Sequence, residues 1–151
     1  MRIYIPATAA DLRGPLEPTH VHAVTPGLRA ALPGEDEETL ELVAFLAAAD
    51  DSLRLVAGRG AVPRRVVVSA DVAGDALTQP GDEAIETALV PSGPIPWSAV
   101  VSIHVDDPGA RAEIATAAGG DADAFERAGE LDMLWFDVTE RDAVARDLDE
   151  A

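Results

Sequence analysis

Polar side chains that directly follow β-patterned runs are the residues of this chain that could do chemistry together. They are Thr8, Thr25, Asp71, Asp106, Asp107 and Asp137. In open α/β sheets, ligands sit beyond the strand ends, where helix N-termini offer backbone N–H groups. Carboxylates gathered there can hold Mg²⁺ and present a phosphate for transfer or hydrolysis. The same residue types also cap helices, and the sequence lacks a glycine-rich phosphate loop, so we favour capping.

The three histidines form a second potential ligand set. His20 and His22 alternate along one β run, and His104 precedes Asp106 at the same spacing. These side chains would converge on a transition metal only if their strands were neighbours, which the sequence does not define. We predict no metal site. The candidates that we retain for a ligand-binding edge are Thr8, Thr25, Asp71, His104, Asp106 and Asp107.

Nucleophilic catalysis is a third possibility, because Ser102, His104 and Asp106 have the residue types of a catalytic triad. Successive residues on one face of a strand are about 6.6 Å apart, which is too far for the hydrogen bond that activates a serine. The chain has no cysteine and no Gly-x-Ser-x-Gly elbow. The sequence therefore favours a protein that is not an enzyme, and no catalytic residue is assigned.

The tryptophans are candidates for an interaction surface. Trp97 lies in a proline-rich segment, and Trp135 precedes Phe136 in a β-patterned run. An exposed tryptophan would be a suitable interface anchor. A sheet covered on both faces would bury the rings of both Trp135 and Phe136, and this is the arrangement that we expect.

The elements that must position these residues follow a repeated pattern of strand, capping residue and helix. The four capping positions are Thr8, Thr25, Asp107 and Thr139, with Pro26 and Pro108 at the first helical positions of two of them. The apolar spacing predicts the longest helix at about 36–56, with Leu42, Leu46, Ala49, Leu53 and Val56 on one buried stripe.

The predicted fold is α/β, with a single mixed sheet of about six strands and four or five helices in one domain, 1–151. The order is β-α-β-α-β-β-β-α-β-α, with a parallel first βαβαβ portion. The short loops joining the β runs at 66–72, 84–90 and 99–106 predict antiparallel strands there. Residues 119–124 are interpreted as a linker.

Composition excludes several classes of partner. The chain has 151 residues, with 28 acidic against 11 basic side chains and a net charge of −17. The acid concentrates in 35–51, with seven acidic and no basic residues, and in 121–151, with eleven acidic residues and three arginines. Such a surface repels phosphate backbones, so we predict no nucleic-acid binding. The sequence has no long apolar run and no basic signal segment, so we predict no membrane association and a cytoplasmic location.

Six stretches of the chain resemble a known family. They are RIYIPAT at 2–8, AVTPGLR at 23–29, SLRLVAG at 52–58, RRVVVSADV at 64–72, SIHVDDP at 102–108 and LWFDVTE at 134–140. Together they resemble a family of small, acidic actinobacterial proteins classed as a domain of unknown function. The resemblance implies common ancestry over nearly the whole chain. It implies no chemistry, because none of the segments is a catalytic signature.

The function that the sequence favours is a non-catalytic protein-binding or regulatory module. Its partner would be an unidentified protein or a second copy of the chain, and it would need no cofactor. One alternative is a small Mg-dependent, phosphate-handling enzyme that uses the strand-end aspartates. Another is an acidic decoy that imitates DNA for a basic partner through 35–51 and 121–151.

Overall fold

Seven strands form one sheet in the computed structural model, which describes residues 1–81 and 84–150. The strands are β1 (Arg2–Ala7), β2 (Val21–His22), β3 (Val66–Asp71), β4 (Leu77–Thr78), β5 (Ala88–Pro91), β6 (Val100–Asp106) and β7 (Met133–Asp137). Their spatial order is β4-β5-β2-β1-β3-β6-β7. The α/β class is confirmed, with seven strands where about six were predicted.

Every strand pair in this sheet is antiparallel, so the predicted parallel βαβαβ portion is wrong. The connection between β1 and β2 contains only a five-residue 3-10 turn, Ala9–Arg13. Pro15 and Pro18 prevent that turn from growing into a crossover helix, and the chain folds straight back beside β1. The helical crossover instead joins β2 to β3, which flank β1 on its two sides.

Five α-helices accompany the sheet in the described part of the chain, in agreement with the four or five predicted. They are α1 (Pro26–Ala31), α2 (Glu37–Arg59), α3 (Arg111–Ala118), α4 (Ala122–Ala128) and α5 (Arg141–Glu150). Asp36 starts α2 by accepting a hydrogen bond from the Thr39 N–H at 2.8 Å. Gly60, at φ 60°, ends it with a left-handed residue.

Two predicted boundaries differ from the structure, and one strand is unpredicted. Residues 119–124, interpreted as a linker, contain the start of α4, where Asp121 accepts a hydrogen bond from the Ala124 N–H at 2.8 Å. The β run predicted at 84–90 forms a strand only from Ala88, and the two-residue β4 was not predicted. These elements are short, so their hydrophobic periodicity is too brief to be recognised in the sequence.

The sheet lies between two helical layers. On one face, the small side chains of Ala44, Ala48 and Ala49 let α2 approach Tyr4 and Val67 closely, while α3 and α4 pack against the outer side of α2. On the other face, α5 and the Ala9–Arg13 turn cover the isoleucines and valines of β1, β3 and β6. Because α2 lies over β1, β2 and β3, the same face of β6 and β7 stays open beside it. No helix of the described residues is long and apolar enough to cross a membrane.

Candidate functional site

The predicted ligand-edge residues are divided between the two ends of the sheet. Since neighbouring strands are antiparallel, β1 and β6 finish at the same end of the sheet, where Thr8 and Asp107 follow them and Asp106 is the last residue of β6. Thr25 and Asp71 follow strands that end at the opposite edge. His104 lies within β6, away from both edges. The structure therefore does not bring these residues together into one site.

Three of the predicted residues occupy capping positions. Thr25 begins α1, where its hydroxyl accepts a hydrogen bond from the Leu28 N–H at 3.0 Å. Asp107 begins the 3-10 turn Pro108–Ala110 and accepts from the Gly109 N–H at 2.8 Å. Thr8 begins the Ala9–Arg13 turn, with its own N–H donating to Asp11 Oδ2 at 2.9 Å. The Thr25 hydroxyl and the Asp107 carboxylate thus cap backbone N–H groups, whereas the Thr8 hydroxyl accepts a hydrogen bond from Nη1 of Arg59 at 3.3 Å.

The fourth capping position is Asp137, so the prediction of Thr139 is wrong. The Asp137 carboxylate accepts from the Thr139 N–H at 2.9 Å and from the Thr139 hydroxyl at 2.6 Å. Glu140 completes the capping box by accepting from the Asp137 N–H at 3.0 Å. The two hydrogen bonds from the Thr139 hydroxyl and N–H lower the pKa of the Asp137 carboxyl. Thr139 is already inside the 3-10 turn that leads into α5.

The remaining two aspartates are paired with arginines. Asp71 binds the exposed Arg2 guanidinium at 2.6 Å, and that hydrogen bond holds the pKa of the Asp71 carboxyl below its usual range. Asp106 is fully buried, with Oδ1 2.7 Å from Nη2 of Arg65 and Oδ2 2.6 Å from the Arg65 backbone nitrogen. A metal ion at either carboxylate would have to displace an arginine.

The histidines do not converge either. His22 is fully buried on β2, where Nε2 lies 2.6 Å from Asp51 Oδ2 of α2 and Nδ1 lies 2.8 Å from Thr87 Oγ1. His104 lies on β6, and β1 and β3 separate the two strands. In residues 1–81 and 84–150, no three His, Asp or Glu side chains are grouped as a metal ion would require.

Ser102 and His104 are closer than the strand spacing predicted. Nε2 of His104 lies 3.3 Å from Ser102 Oγ and 3.4 Å from Ser69 Oγ of the neighbouring strand. The expectation that the serine is out of reach is therefore wrong, because the imidazole leans along the strand. Asp106, the third member of the proposed triad, points to Arg65 instead, so no carboxylate from that residue supports the imidazole.

The open face of β6 and β7 forms a groove against α2, which we call the α2–β7 groove. Two adjoining depressions of about 270 and 540 Å³ make it up, and both are lined by Leu42, Phe45, His104 and Trp135. The smaller depression is polar and also contains Arg2, Tyr4, Ser69, Ser102, Glu38 and Glu41. The larger is mainly apolar and also contains Leu46, Leu131 and Met133, with Glu130 and Asp132 at its rim. The groove is thus amphipathic along its length.

Trp135 is the most exposed large apolar side chain of the groove, with 60% of its surface open to solvent. The expectation that both rings of the Trp135–Phe136 pair are buried is therefore wrong. Phe136 packs against the core of the opposite face, but α2 does not extend over β7 to cover Trp135. Trp97, by contrast, is held in place. Its indole N–H donates to the Gly14 carbonyl at 2.8 Å, and the Arg141 guanidinium stacks 3.8 Å from its ring.

Leu42 is the second exposed apolar residue of the groove. It is 54% exposed, although the sequence places it on the buried stripe of α2. The residues that α2 buries are Leu40, Ala44, Ala48, Ala49, Ser52, Leu53 and Val56. Leucines are found on both sides of this helix, so periodicity alone does not distinguish the stripe that is covered from the one that borders the groove. No sequence feature indicates that Arg2, Tyr4 or Ser69 lines a groove. They do so because β1 and β3 pair next to β6.

His104 is uncharged in the groove at neutral pH. Burial lowers the pKa of its imidazole from 6.5 to about 4, and the nearby Arg2 guanidinium contributes. The Phe45 ring packs against it at 4.8 Å between centroids. An imidazole with so low a pKa is a weak base at neutral pH, so it has little power to activate Ser102 or Ser69.

Replacing His104 with Gln should change how stability depends on pH. Between pH 6.5 and about 4, His104 is protonated in the unfolded chain but not in the folded one. The free energy of unfolding of the wild type therefore falls as the pH is lowered through this range. Glutamine does not titrate. We therefore expect H104Q to gain stability relative to the wild type as pH is lowered from about 7.5 to about 4.5 in urea unfolding. H20Q, at an exposed position outside the groove, is the matched control. A difference between H104Q and wild type that stays constant with pH would contradict burial of a neutral imidazole.

Comparison with known proteins agrees with the resemblance carried by the six sequence stretches. No curated protein and no solved structure matches this chain. A family model does match, over residues 1–145, which is nearly the whole chain. The described elements from β1 to the first half of α5 fall within that match. The chain therefore belongs to the family of unknown function DUF6912.

Proposed function

We propose that this protein is a non-catalytic binding module that takes an extended segment of a basic protein partner into the α2–β7 groove. The observation that carries the proposal is Trp135, a largely exposed tryptophan on a strand at the edge of the sheet. Tryptophan is enriched among residues that dominate binding energy, and an exposed apolar groove with a polar rim is typical of interaction sites.

The edge position of β7 supports an extended conformation for the bound segment. β7 is the last strand of the sheet, and β6 pairs with it on one side only. Apart from the Asp137 N–H, which donates to Glu140, no hydrogen bond from a described residue occupies the outer edge of β7. That edge can therefore accept a further strand, as in recognition by strand addition. Side chains of such a segment would alternate, so that every second one reaches toward Trp135 and the apolar depression.

The acidic residues around the groove favour a basic partner. Glu38 and Glu41 border the polar depression, and Glu130 and Asp132 border the apolar one. The Arg2 guanidinium in the same groove is already neutralised by Asp71. A segment carrying Lys or Arg beside an apolar anchor complements this surface. A second copy of the chain does not, because each copy carries a net charge of −17.

Catalysis is less well supported than binding. His104 is the only imidazole that lines the described part of the groove, and its pKa of about 4 leaves it a poor base at neutral pH. Ser69 and Ser102 are themselves buried beneath it. The Mg-dependent alternative needs several carboxylates at one place, whereas Asp71 and Asp106 are paired with arginines at opposite edges.

Selection from a library of random ten-residue peptides on the immobilised full chain tests the proposal. We expect enriched peptides with alternating apolar residues flanked by Lys or Arg. Their affinity should fall by about thirtyfold or more in W135S, as for other aromatic interface anchors. L134S is the matched control, because Leu134 is exposed on the same strand but faces the other side of the sheet. Its affinity should stay close to that of the wild type.

Two outcomes would contradict the groove as the binding site. Failure to enrich any common sequence would remove the peptide-binding function. Enriched peptides that bind W135S as tightly as the wild type, and are released by moderate salt, would identify the protein as a purely electrostatic decoy.

A further inference from the structure

A separate cavity lies between the β1–β2 connection, residues 8–20, and the second half of α2. Its volume is about 420 Å³, within the usual range of small-molecule sites. Leu16, Pro18 and Leu55 provide an apolar wall, and Glu17, Arg54 and Arg59 provide charged groups around it. It shares no lining residue with the α2–β7 groove. We propose that this cavity binds a small zwitterion that carries both a carboxylate and an ammonium group, as a free amino acid does.

Two arginines are held in place to receive the carboxylate. Nη1 of Arg54 lies 2.7 Å from Asp51 Oδ1, and Nη1 of Arg59 lies 2.8 Å from Asp11 Oδ2. Among the described residues, the Nε and Nη2 donors of both guanidinium groups make no hydrogen bond. Each arginine thus keeps the planar pair of donors that binds a carboxylate in two places. The Phe125 ring, 5.2 Å from the Arg54 guanidinium, further restricts its orientation.

A buried hydrogen-bonded chain fixes the anchor of Arg54. The second oxygen of Asp51 binds His22, which in turn binds Thr87, and both of these partners are buried. Burial alone would raise the pKa of the Asp51 carboxyl, but the hydrogen bonds from His22 and Arg54 outweigh it and hold the pKa below its usual range. Asp51 therefore stays charged at neutral pH, and the arginine is positioned before any ligand arrives.

The charge balance favours a zwitterion over a simple anion. Asp11, Asp51 and Glu17 oppose Arg54 and Arg59 in the lining, which leaves the cavity with no net positive charge. Glu17 is exposed and makes no hydrogen bond or ion pair with any described residue. Its carboxylate is thus free to accept the ammonium group, while the apolar wall suits an aliphatic side chain.

Calorimetric titration of the full chain with the common amino acids tests this proposal, with leucine as the first probe. We expect saturable binding of at least one aliphatic amino acid at concentrations up to about 10 mM. Leucinamide lacks the carboxylate and N-acetylleucine lacks the ammonium, so each should bind at least about tenfold more weakly. No heat from any amino acid over this range would overturn the proposal, as would N-acetylleucine binding as tightly as leucine.

Variants separate the cavity from the rest of the surface. R54Q and E17Q should each weaken binding by about tenfold or more, because each removes one charged partner of the ligand. R29Q is the matched control, since Arg29 is exposed, pairs with Glu37 and does not line the cavity. W135S should bind the amino acid normally, whether or not the groove binds peptides. Equal affinity in R54Q and R29Q would overturn the assignment.

Discussion

Replacing Asp106 with Ala should destabilise the protein by about 3–5 kcal/mol, measured by urea unfolding at neutral pH. The Arg65–Asp106 pair is almost completely buried, with 1% and 0% of the two side chains exposed. The substitution leaves the guanidinium charge of Arg65 in the interior without its partner. It also removes the acceptor of the Arg65 backbone N–H. The expected loss is a large part of the 5–15 kcal/mol typical of a domain's stability.

An exposed ion pair provides the control for Asp106. D71A breaks the contact between Asp71 and Arg2, whose side chains are 56% and 41% exposed, and should cost less than about 1 kcal/mol. If D106A is too unstable to purify, the double variant R65M/D106L removes both buried charges and should recover most of the stability. A loss in D106A no larger than in D71A would show that the buried pair is not required.

The sequence predicted local features more successfully than long-range pairing. Thr25 before Pro26 was recognised as a helix cap because the capping signal lies within four residues of chain. The direction of β2 depends on the conformation of the 8–20 connection. The pattern there predicts a helix, but the chain forms a short 3-10 turn that is followed by two prolines. Tertiary packing determines which strands are neighbours, and no short stretch of sequence indicates whether β1 and β2 run parallel or antiparallel.

The candidate sites were harder to predict for the same reason. The sequence indicates Trp135 as a possible interface anchor, but the exposure of its ring depends on how far α2 covers the sheet. The sequence indicates Asp106 as a possible ligand residue, but the pairing of β3 with β6 places its carboxylate against the Arg65 guanidinium. The cavity lies between a loop that carries Glu17 and the part of α2 that carries Arg54 and Arg59, more than thirty residues later in the sequence. Nothing local to either segment predicts that contact.

Ser52 is the residue whose replacement tests how α2 is fixed to the sheet. Its hydroxyl donates to the Ala7 carbonyl at 2.7 Å and accepts from the Val66 N–H at 2.9 Å, and all three residues are buried. One side chain thereby satisfies backbone groups at the end of β1 and the start of β3. The same turn of α2 carries Asp51 and Arg54, so this contact also positions the cavity beside them.

We expect S52A to lower the free energy of unfolding by about 2–5 kcal/mol, because each orphaned backbone group costs about 1–3 kcal/mol. Helix propensity opposes this effect, since alanine favours a helix over serine by about 0.5 kcal/mol, but the buried groups should dominate. Hydrogen exchange at the Val66 amide should accelerate in parallel. S98A makes the same chemical change at an exposed position and should stay within about 0.5 kcal/mol of the wild type. A stabilised S52A would mean that propensity prevails, and that the hydroxyl does not hold α2 to the sheet.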